Sequence, residues 1–319
     1  MNEFFNYYDE KTTPIHQLNE SQNNNMFFIK RDDLIQFSFG GNKARKAILF
    51  FKDIISKGSD CIVTYGSSSS NHCRIISNIA ASMGLLCYVI SPLENSRPTY
   101  NRRMIELFGA KVIKCPIAEV KETIFNTMNR LRKQGFNPYF IQGGGHGNIG
   151  TQAYVDVYKE ILDFERERGI KFDYVFHASG TGTTQAGLIC GNLLNGSKKN
   201  IIGISIARRN PYGRQVVVDS VNSYLYSIGK EQVSEEVVCF IDDYVLEGYS
   251  YYNNEILGTI REVLIKDGIP LDTTYTGKAF WGMKEYIRKN QIKNKNILFI
   301  HTGGTPLFFD ELEGLTVGV

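Results

Sequence analysis

The chain has 319 residues, 42% hydrophobic and 22% charged, enough to bury a substantial core and unlike a disulfide-stapled miniprotein. Its 36 Lys+Arg against 33 Asp+Glu leave a net charge of +3 with no long run of one sign, which argues against nucleic acid as a partner. Cys61, Cys73, Cys87, Cys115, Cys190 and Cys239 show no C-x-x-C spacing, the first residues lack a basic-then-apolar leader, and no stretch reaches the ~20 apolar residues of a membrane span; the expectation is a cytoplasmic protein with no membrane partner.

In chain order, the Asn-rich stretch NESQNNNM (19–26) reads as a loop. FGGNKARKAILFF (39–51) reads as a helix whose entrance carries Lys43, Arg45 and Lys46. Free N–H groups already make a helix N-terminus positive, so three cations there predict something negative nearby. Runs rich in β-formers follow at 60–65, 85–91, 111–115 and 138–142. After the first comes YGSSSSNHCR (65–74). One Ser or Asn N-cap accounts for part of it, and the surplus of Ser70, Asn71 and His72 suits a polar ligand such as a carboxylate. QGGGHGNIG (142–150) is a further Gly-rich turn, with His146 reading as a loop hydrogen-bonder.

At 151–164, Tyr154, Val157, Tyr158, Ile161 and Leu162 recur at helical spacing, so one face is core. The strand candidate 173–178 leads into ASGTGTTQAGL (178–188). There Gly180 and Gly182 permit close backbone approach and Thr181, Thr183 and Thr184 offer hydroxyls at a helix N-terminus, a combination suited to phosphate. It matches neither the dinucleotide nor the Walker fingerprint, which points to a smaller phosphorylated cofactor. Strand candidates 201–206 and 296–301 close the series, the last running into HTGGTPLF (301–308). Nearly continuous apolar strands alternating with helices predict an α/β fold of open, mostly parallel twisted sheets, with ligands at the carboxyl ends of the strands. The five histidines have no metal-ligand spacing, so no metal is expected. A lysine able to bond an aldehyde beside a phosphate-binding turn fits pyridoxal 5′-phosphate.

Taken together, KRDDL…FGGNKARK (30–46), SNH (70–72), SGTGTTQAGL (179–188), DDYVLEGYS (242–250), YTGKAFWGM (275–283) and HTGG (301–304) resemble the D-cysteine desulfhydrase and 1-aminocyclopropane-1-carboxylate deaminase family. The resemblance implies the pyridoxal-phosphate fold type II of the tryptophan-synthase β-subunit, with a larger cofactor domain (1–48 and 163–319), a smaller inserted domain (49–162), and a homodimer. It implies that Lys43 bonds the cofactor aldehyde, that Lys46 and Gly180 to Thr184 hold its phosphate, and that Thr302 and Gly303 border it. Ser70, Asn71 and His72 resemble the loop receiving the substrate carboxylate, with Asn71 also near the cofactor 3-hydroxyl, and Tyr249 and Tyr275 resemble the family's two active-site tyrosines.

Thr276 bears on the reaction. The deaminase branch resembles a chain with Glu there, which keeps the pyridine nitrogen protonated, whereas the desulfhydrase branch has Thr. A neutral hydroxyl gives a weaker electron sink than a carboxylate partner does. The expectation is therefore α,β-elimination on a small amino acid such as D-cysteine, with Lys43 as base and the tyrosines orienting the substrate. 1-Aminocyclopropane-1-carboxylate deamination and β-replacement are the alternatives, the second because Ser68-Ser69 and TGTT depart from the family's usual residues. A non-catalytic binding protein on the same scaffold is the alternative from another class; it would need neither Lys43 nor the tyrosines.

Overall fold

The computed structural model describes residues 12–93 and 99–316. Among them the strands form two sheets. The larger has the order β1-β2-β10-β7-β8-β9 and contains β1 (Ile15–Gln22), β2 (Asn25–Arg31), β7 (Tyr174–Ser179), β8 (Asn200–Ser205), β9 (Cys239–Ile241) and β10 (Asn296–His301). Only β1 and β2 pair antiparallel there. The smaller sheet is parallel in the order β5-β4-β3-β6, from β3 (Cys61–Tyr65), β4 (Leu86–Pro92), β5 (Lys111–Cys115) and β6 (Pro138–Ile141). The expected architecture of two open, mostly parallel sheets flanked by helices is the one found.

The apolar runs are continuous because both faces of each strand are covered. In β10, Ile297 and Phe299 pack on one face with α8 (Asn254–Asp267) and α9 (Thr276–Lys289). Leu298 and Ile300 pack on the other with α5 (Asn148–Arg168), α6 (Thr183–Leu194) and α7 (Tyr212–Ser227). The smaller sheet is sandwiched likewise. Ile62 and Val89 meet α1 (Asn42–Ser56), α2 (Asn71–Ser82) and α3 (Tyr100–Leu107), and Val63 and Ile90 meet α4 (Val120–Lys133). The short α10 (Thr305–Asp310) and α11 (Leu312–Thr316) end the described chain. No helix among the described residues is long and apolar enough to cross a membrane.

One expectation needs correction: 19–26 is a β-hairpin, not a loop. Asn23 and Asn24 form its two-residue turn with φ of 56° and 58°, and Gln22 pairs with Asn25 across it. Two successive positive φ values are what the favoured hairpin turn demands, and Asn tolerates them better than most residues. Elsewhere small residues set helix spacing. A Cβ at Gly187 of α6 would stand 2.5 Å from the Cβ of Tyr154 on α5, and one at Gly191 would stand 2.6 Å from the Tyr158 ring, so glycine lets the two helices touch.

Candidate active site

The carboxyl ends of strands from both sheets border one cavity of about 760 Å³. Tyr65 ends β3, Gln142 follows β6, Ala178 and Ser179 end β7, Ile206 follows β8 and Thr302 follows β10, and all line it. This is where parallel α/β sheets place ligands.

The head of α1 is docked into this cavity by backbone. Gly41 caps the helix at φ 97°, and any side chain there would meet the Thr302 carbonyl oxygen at 2.5 Å. The Asn42 N–H donates to that same oxygen at 3.0 Å. Lys43 then reaches the cavity wall, where its Nζ donates to the Gly144 carbonyl at 2.9 Å. A Cβ at Gly144, where φ is 72°, would stand 2.6 Å from Thr181 Cγ2 and 3.3 Å from Lys43 Nζ. Glycine keeps clear the space beside the amine. Burial lowers the Lys43 pKa to about 8, with Cys73 opposing the shift and Arg208 adding to it.

The other two cations of the entrance face elsewhere. Lys46 is 1% exposed and its Nζ donates to Thr183 Oγ1 at 2.7 Å; burial first, then Lys43, drives its pKa well below the ordinary lysine value. Arg45 turns away to the chain's own acids, bonding Asp32 at 2.9 Å and Glu160 at 2.5 and 2.9 Å. Part of the negative charge that the sequence demanded is thus supplied within the protein.

Gly180, Thr181, Gly182 and Thr184 line the cavity at the N-terminus of α6, with Gly182 as its cap at φ 98°. Asn42 Nδ2 donates to Thr184 Oγ1 at 3.0 Å, so the α1 head and this turn are tied twice, here and through Lys46 and Thr183. Free backbone N–H groups, threonine hydroxyls and a buried lysine behind them form a donor-lined concavity with the chemistry to hold an anion such as phosphate.

Across the cavity, Ser70 caps α2 by accepting from the Cys73 N–H at 3.2 Å, and Asn71 and His72 follow on the lining. The Thr64 hydroxyl donates to the Ile141 carbonyl at 2.9 Å and so accepts from His72 Nε2, 2.8 Å away, leaving Nδ1 as the bare nitrogen. Burial, then Lys43 and Lys46, keeps His72 neutral by pushing its pKa well down. Tyr249 and Tyr275 also line the cavity, their hydroxyls bonded to each other and their rings edge to face at 5.9 Å. Burial raises both phenols, Tyr275 most, so each keeps its proton.

Lys43, Ser70, Asn71, His72, Gly180, Thr181, Gly182, Thr184, Tyr249, Tyr275 and Thr302 therefore share one wall system, while Lys46, Thr183, Thr276 and Gly303 stand behind it. Thr276 is fully buried; its hydroxyl accepts from the Asp272 N–H at 3.0 Å and donates to Asp272 Oδ1 at 2.7 Å. The Gly303 N–H donates to His301 Nδ1 at 3.2 Å. Gly143, Gly144 and His146 line the cavity too, and their Gly-rich turn was visible in the sequence. Arg208, just past β8, gave no such signal.

The profile of the family described as pyridoxal-phosphate dependent enzyme matches residues 7–303. D-cysteine desulfhydrase of Yersinia enterocolitica serotype O:8 / biotype 1B (strain NCTC 13174 / 8081) is 32% identical over 290 residues, covering 88% of this chain and 87% of that protein. D-cysteine desulfhydrase of Serratia proteamaculans (strain 568) is 31% identical with the same coverage. The crystal structure of an ACC deaminase homologue superposes with a TM-score of 0.86 at 29% identity, covering 97% of this chain and 94% of that one. The amine of Lys43, the glycine-cleared space beside it and the anion cradle fit a phosphorylated aldehyde. The chain belongs to the pyridoxal-phosphate dependent enzymes.

Proposed function

We infer that this pyridoxal-phosphate-dependent lyase eliminates a β-leaving group from a small amino acid, D-cysteine first among them, releasing pyruvate, ammonia and sulfide. The observation that carries the reading is the placement of the Lys43 amine and the Tyr249–Tyr275 hydroxyl pair on one cavity with the anion cradle. In this reading Lys43 holds the cofactor aldehyde, while Lys46, Thr183 and the Gly180, Thr181, Gly182 and Thr184 turn hold its phosphate. Thr302 and Gly303 border the ring. When bound, pyridoxal phosphate supplies the electron sink that makes the substrate α-proton acidic.

Ser70, Asn71 and His72 receive the substrate carboxylate, His72 through its backbone N–H at the head of α2, since its ring Nδ1 carries no proton. With the substrate's own amine in its place on the cofactor aldehyde, the Lys43 Nζ is free to take the α-proton, and the burial that lowers its pKa favours the neutral form that can do so. A phenol of the tyrosine pair delivers its proton to the departing sulfur. Thr276 serves from behind, holding Asp272, which in turn accepts from the Tyr275 N–H at 2.8 Å. Among the described residues the cavity's one carboxylate is Asp219, on α7 rather than beside Thr302. That supports loss of a good leaving group over cyclopropane opening, which needs the stronger sink. The likeness to an ACC deaminase homologue favours the second reading, deamination of 1-aminocyclopropane-1-carboxylate.

An inserted unit at 49–162 within 1–48 and 163–319 is supported by the confinement of β3 to β6 to that insert, while α5, which starts at Asn148, packs on the larger sheet and goes with the outer unit. A homodimer follows the family resemblance. A cytoplasmic location is supported by six cysteines that are all free thiols. The test is keto-acid and ammonia release from a panel of D- and L-amino acids with β-leaving groups plus the cyclopropane substrate, beside the absorbance of the purified protein. D-cysteine turnover by a protein absorbing in the visible is expected; turnover of the cyclopropane alone, or a colourless inert protein, overturns the reading.

A further inference from the structure

Arg74 lies one turn into α2, is 0% exposed, and forms no ion pair among the described residues. Its Nη1 donates to Asn71 Oδ1 at 2.6 Å and to Asn101 Oδ1 at 2.5 Å, while Nε and Nη2 find no partner. Asn101 is itself fully buried, and its Nδ2 donates to Asn71 Oδ1 at 2.9 Å and to the Ser69 carbonyl at 2.7 Å. A guanidinium can only donate. It therefore fixes which end of each amide faces it: both amide oxygens turn inward, and the Asn71 oxygen is claimed twice. What Asn71 has left for the cavity it lines is its NH₂ group.

Resting on the reading that this cavity takes a pyridoxal-phosphate cofactor and an amino acid, we propose that Arg74 is a positioning residue that commits Asn71 to donate into the cavity. This corner thereby becomes selective for a negatively charged oxygen. Without the guanidinium the Asn71 amide can turn over and present its carbonyl, which repels such an oxygen. The buried positive charge acts in the same sense. Burial lowers the Arg74 pKa to about 9 and Tyr275 and Asp272 oppose that shift, so the group remains a cation at neutral pH. Two sources supply an anionic oxygen here, the substrate carboxylate and the cofactor's phenolic oxygen.

Holoenzyme carrying Arg74→Met or Arg74→Lys separates them. Glycine and aminoethanol, which differ at the carboxylate and have no handedness to mismatch, are titrated by their effect on the visible absorbance. The pH midpoint of that absorbance is measured without ligand. If the carboxylate is the oxygen, Arg74→Met weakens glycine at least tenfold more than aminoethanol and Arg74→Lys recovers part of the loss. If the phenolic oxygen is, Arg74→Met raises the pH midpoint by a unit or more and Arg74→Lys by less. Both ratio and midpoint unchanged in a folded Arg74→Met protein overturns the proposal. Should that variant not fold, Arg74→Gln keeps a buried polar side chain there that can accept as well as donate, and so no longer dictates which end of the Asn71 amide turns inward. It is expected to move the same readouts in the same direction, and no movement there is equally fatal. A wild-type protein with no visible band sinks the reading of the cofactor, not the geometry of Arg74.

Discussion

Replacing Glu160 with Gln should cost about 3 kcal/mol of stability, toward the low end of the ~3–5 kcal/mol for breaking a buried ion pair. Glu160 receives Lys30 Nζ at 2.6 Å and two Arg45 N–H groups at 2.5 and 2.9 Å. Arg45 also bonds Asp32 at 2.9 Å, and Asp32 accepts from Thr13 and Tyr154 at 2.7 Å each. Two cations thus face two carboxylates, with Lys30 0% and Glu160 16% exposed at the side chain. Burial pushes Asp32 up, but Arg45 and then Lys30 outweigh it and leave its carboxyl below the usual range. A neutral amide at 160 leaves two buried cations with one anion, and its NH₂ opposes a donor. The glutamate's partial exposure keeps the cost near the lower bound. Urea unfolding of the wild type, Glu160→Gln, Lys30→Met and the double variant measures it. The coupling of the pair should exceed ~1.5 kcal/mol, since removing both partners restores the charge balance. A loss under ~1 kcal/mol for Glu160→Gln, or strictly additive single costs, would mean the network is solvated and the argument is wrong.

The rate at which the apoprotein takes up pyridoxal phosphate should climb as pH rises through about 8, because the Lys43 amine is neutral only above that value. Stopped-flow absorbance checks this, and a rate still climbing in proportion to hydroxide beyond pH 9.5 would assign the amine an ordinary pKa. Gly187→Ala should destabilise by ~1–3 kcal/mol through overlap with Tyr154, outweighing its gain in helix propensity. Gly258→Ala on α8, where nothing lies within 4 Å of the added carbon, should stabilise by up to ~1 kcal/mol; thermal melts that rank the two the other way contradict the packing. Lys278 is fully buried and donates to the carbonyls of Gly248 at 2.8 Å, Val245 at 3.2 Å and Ile206 at 3.5 Å, bracing the segment that carries Tyr249. Lys278→Met should lower kcat/KM at least tenfold while leaving the cofactor absorbance in place, and full activity in steady-state assays would exclude the brace.

Seven of the ten described strands were legible, most of them because parallel strands covered on both faces leave uninterrupted Val, Ile, Phe and Tyr runs, as at 296–301; β2 was missed with the hairpin whose second arm it is. β1 was hidden by its position at the sheet edge. Its exposed His16, Gln17, Asn19 and Ser21 read as polar loop, and only the Asn23-Asn24 pair signalled a hairpin. β9, at the opposite edge, has three residues and no period to detect. In the cavity, the turns after β3, β7 and β10 announced themselves by Ser, Thr and Gly density, and the structure brings most of those residues together. Arg208 and Tyr65 were missed because a cation or tyrosine ending a strand looks like any other until the fold assigns its direction. The destination of Arg45 was equally hidden, since its partners Asp32 and Glu160 lie 13 and 115 positions away.

The contact of α5 with α6 through Gly187 and Gly191 reaches beyond packing. A helix seated on the Tyr154 Cβ at one glycine and on the Tyr158 ring at the next has no room to roll, so the amides at its head acquire their orientation when the chain folds rather than when an anion arrives. In the proposed reading, a phosphate bound there surrenders only its own translational and rotational freedom, which favours slow escape over fast capture. The dwell time of a ligand in that corner is thus governed in part by aromatic side chains that never meet it.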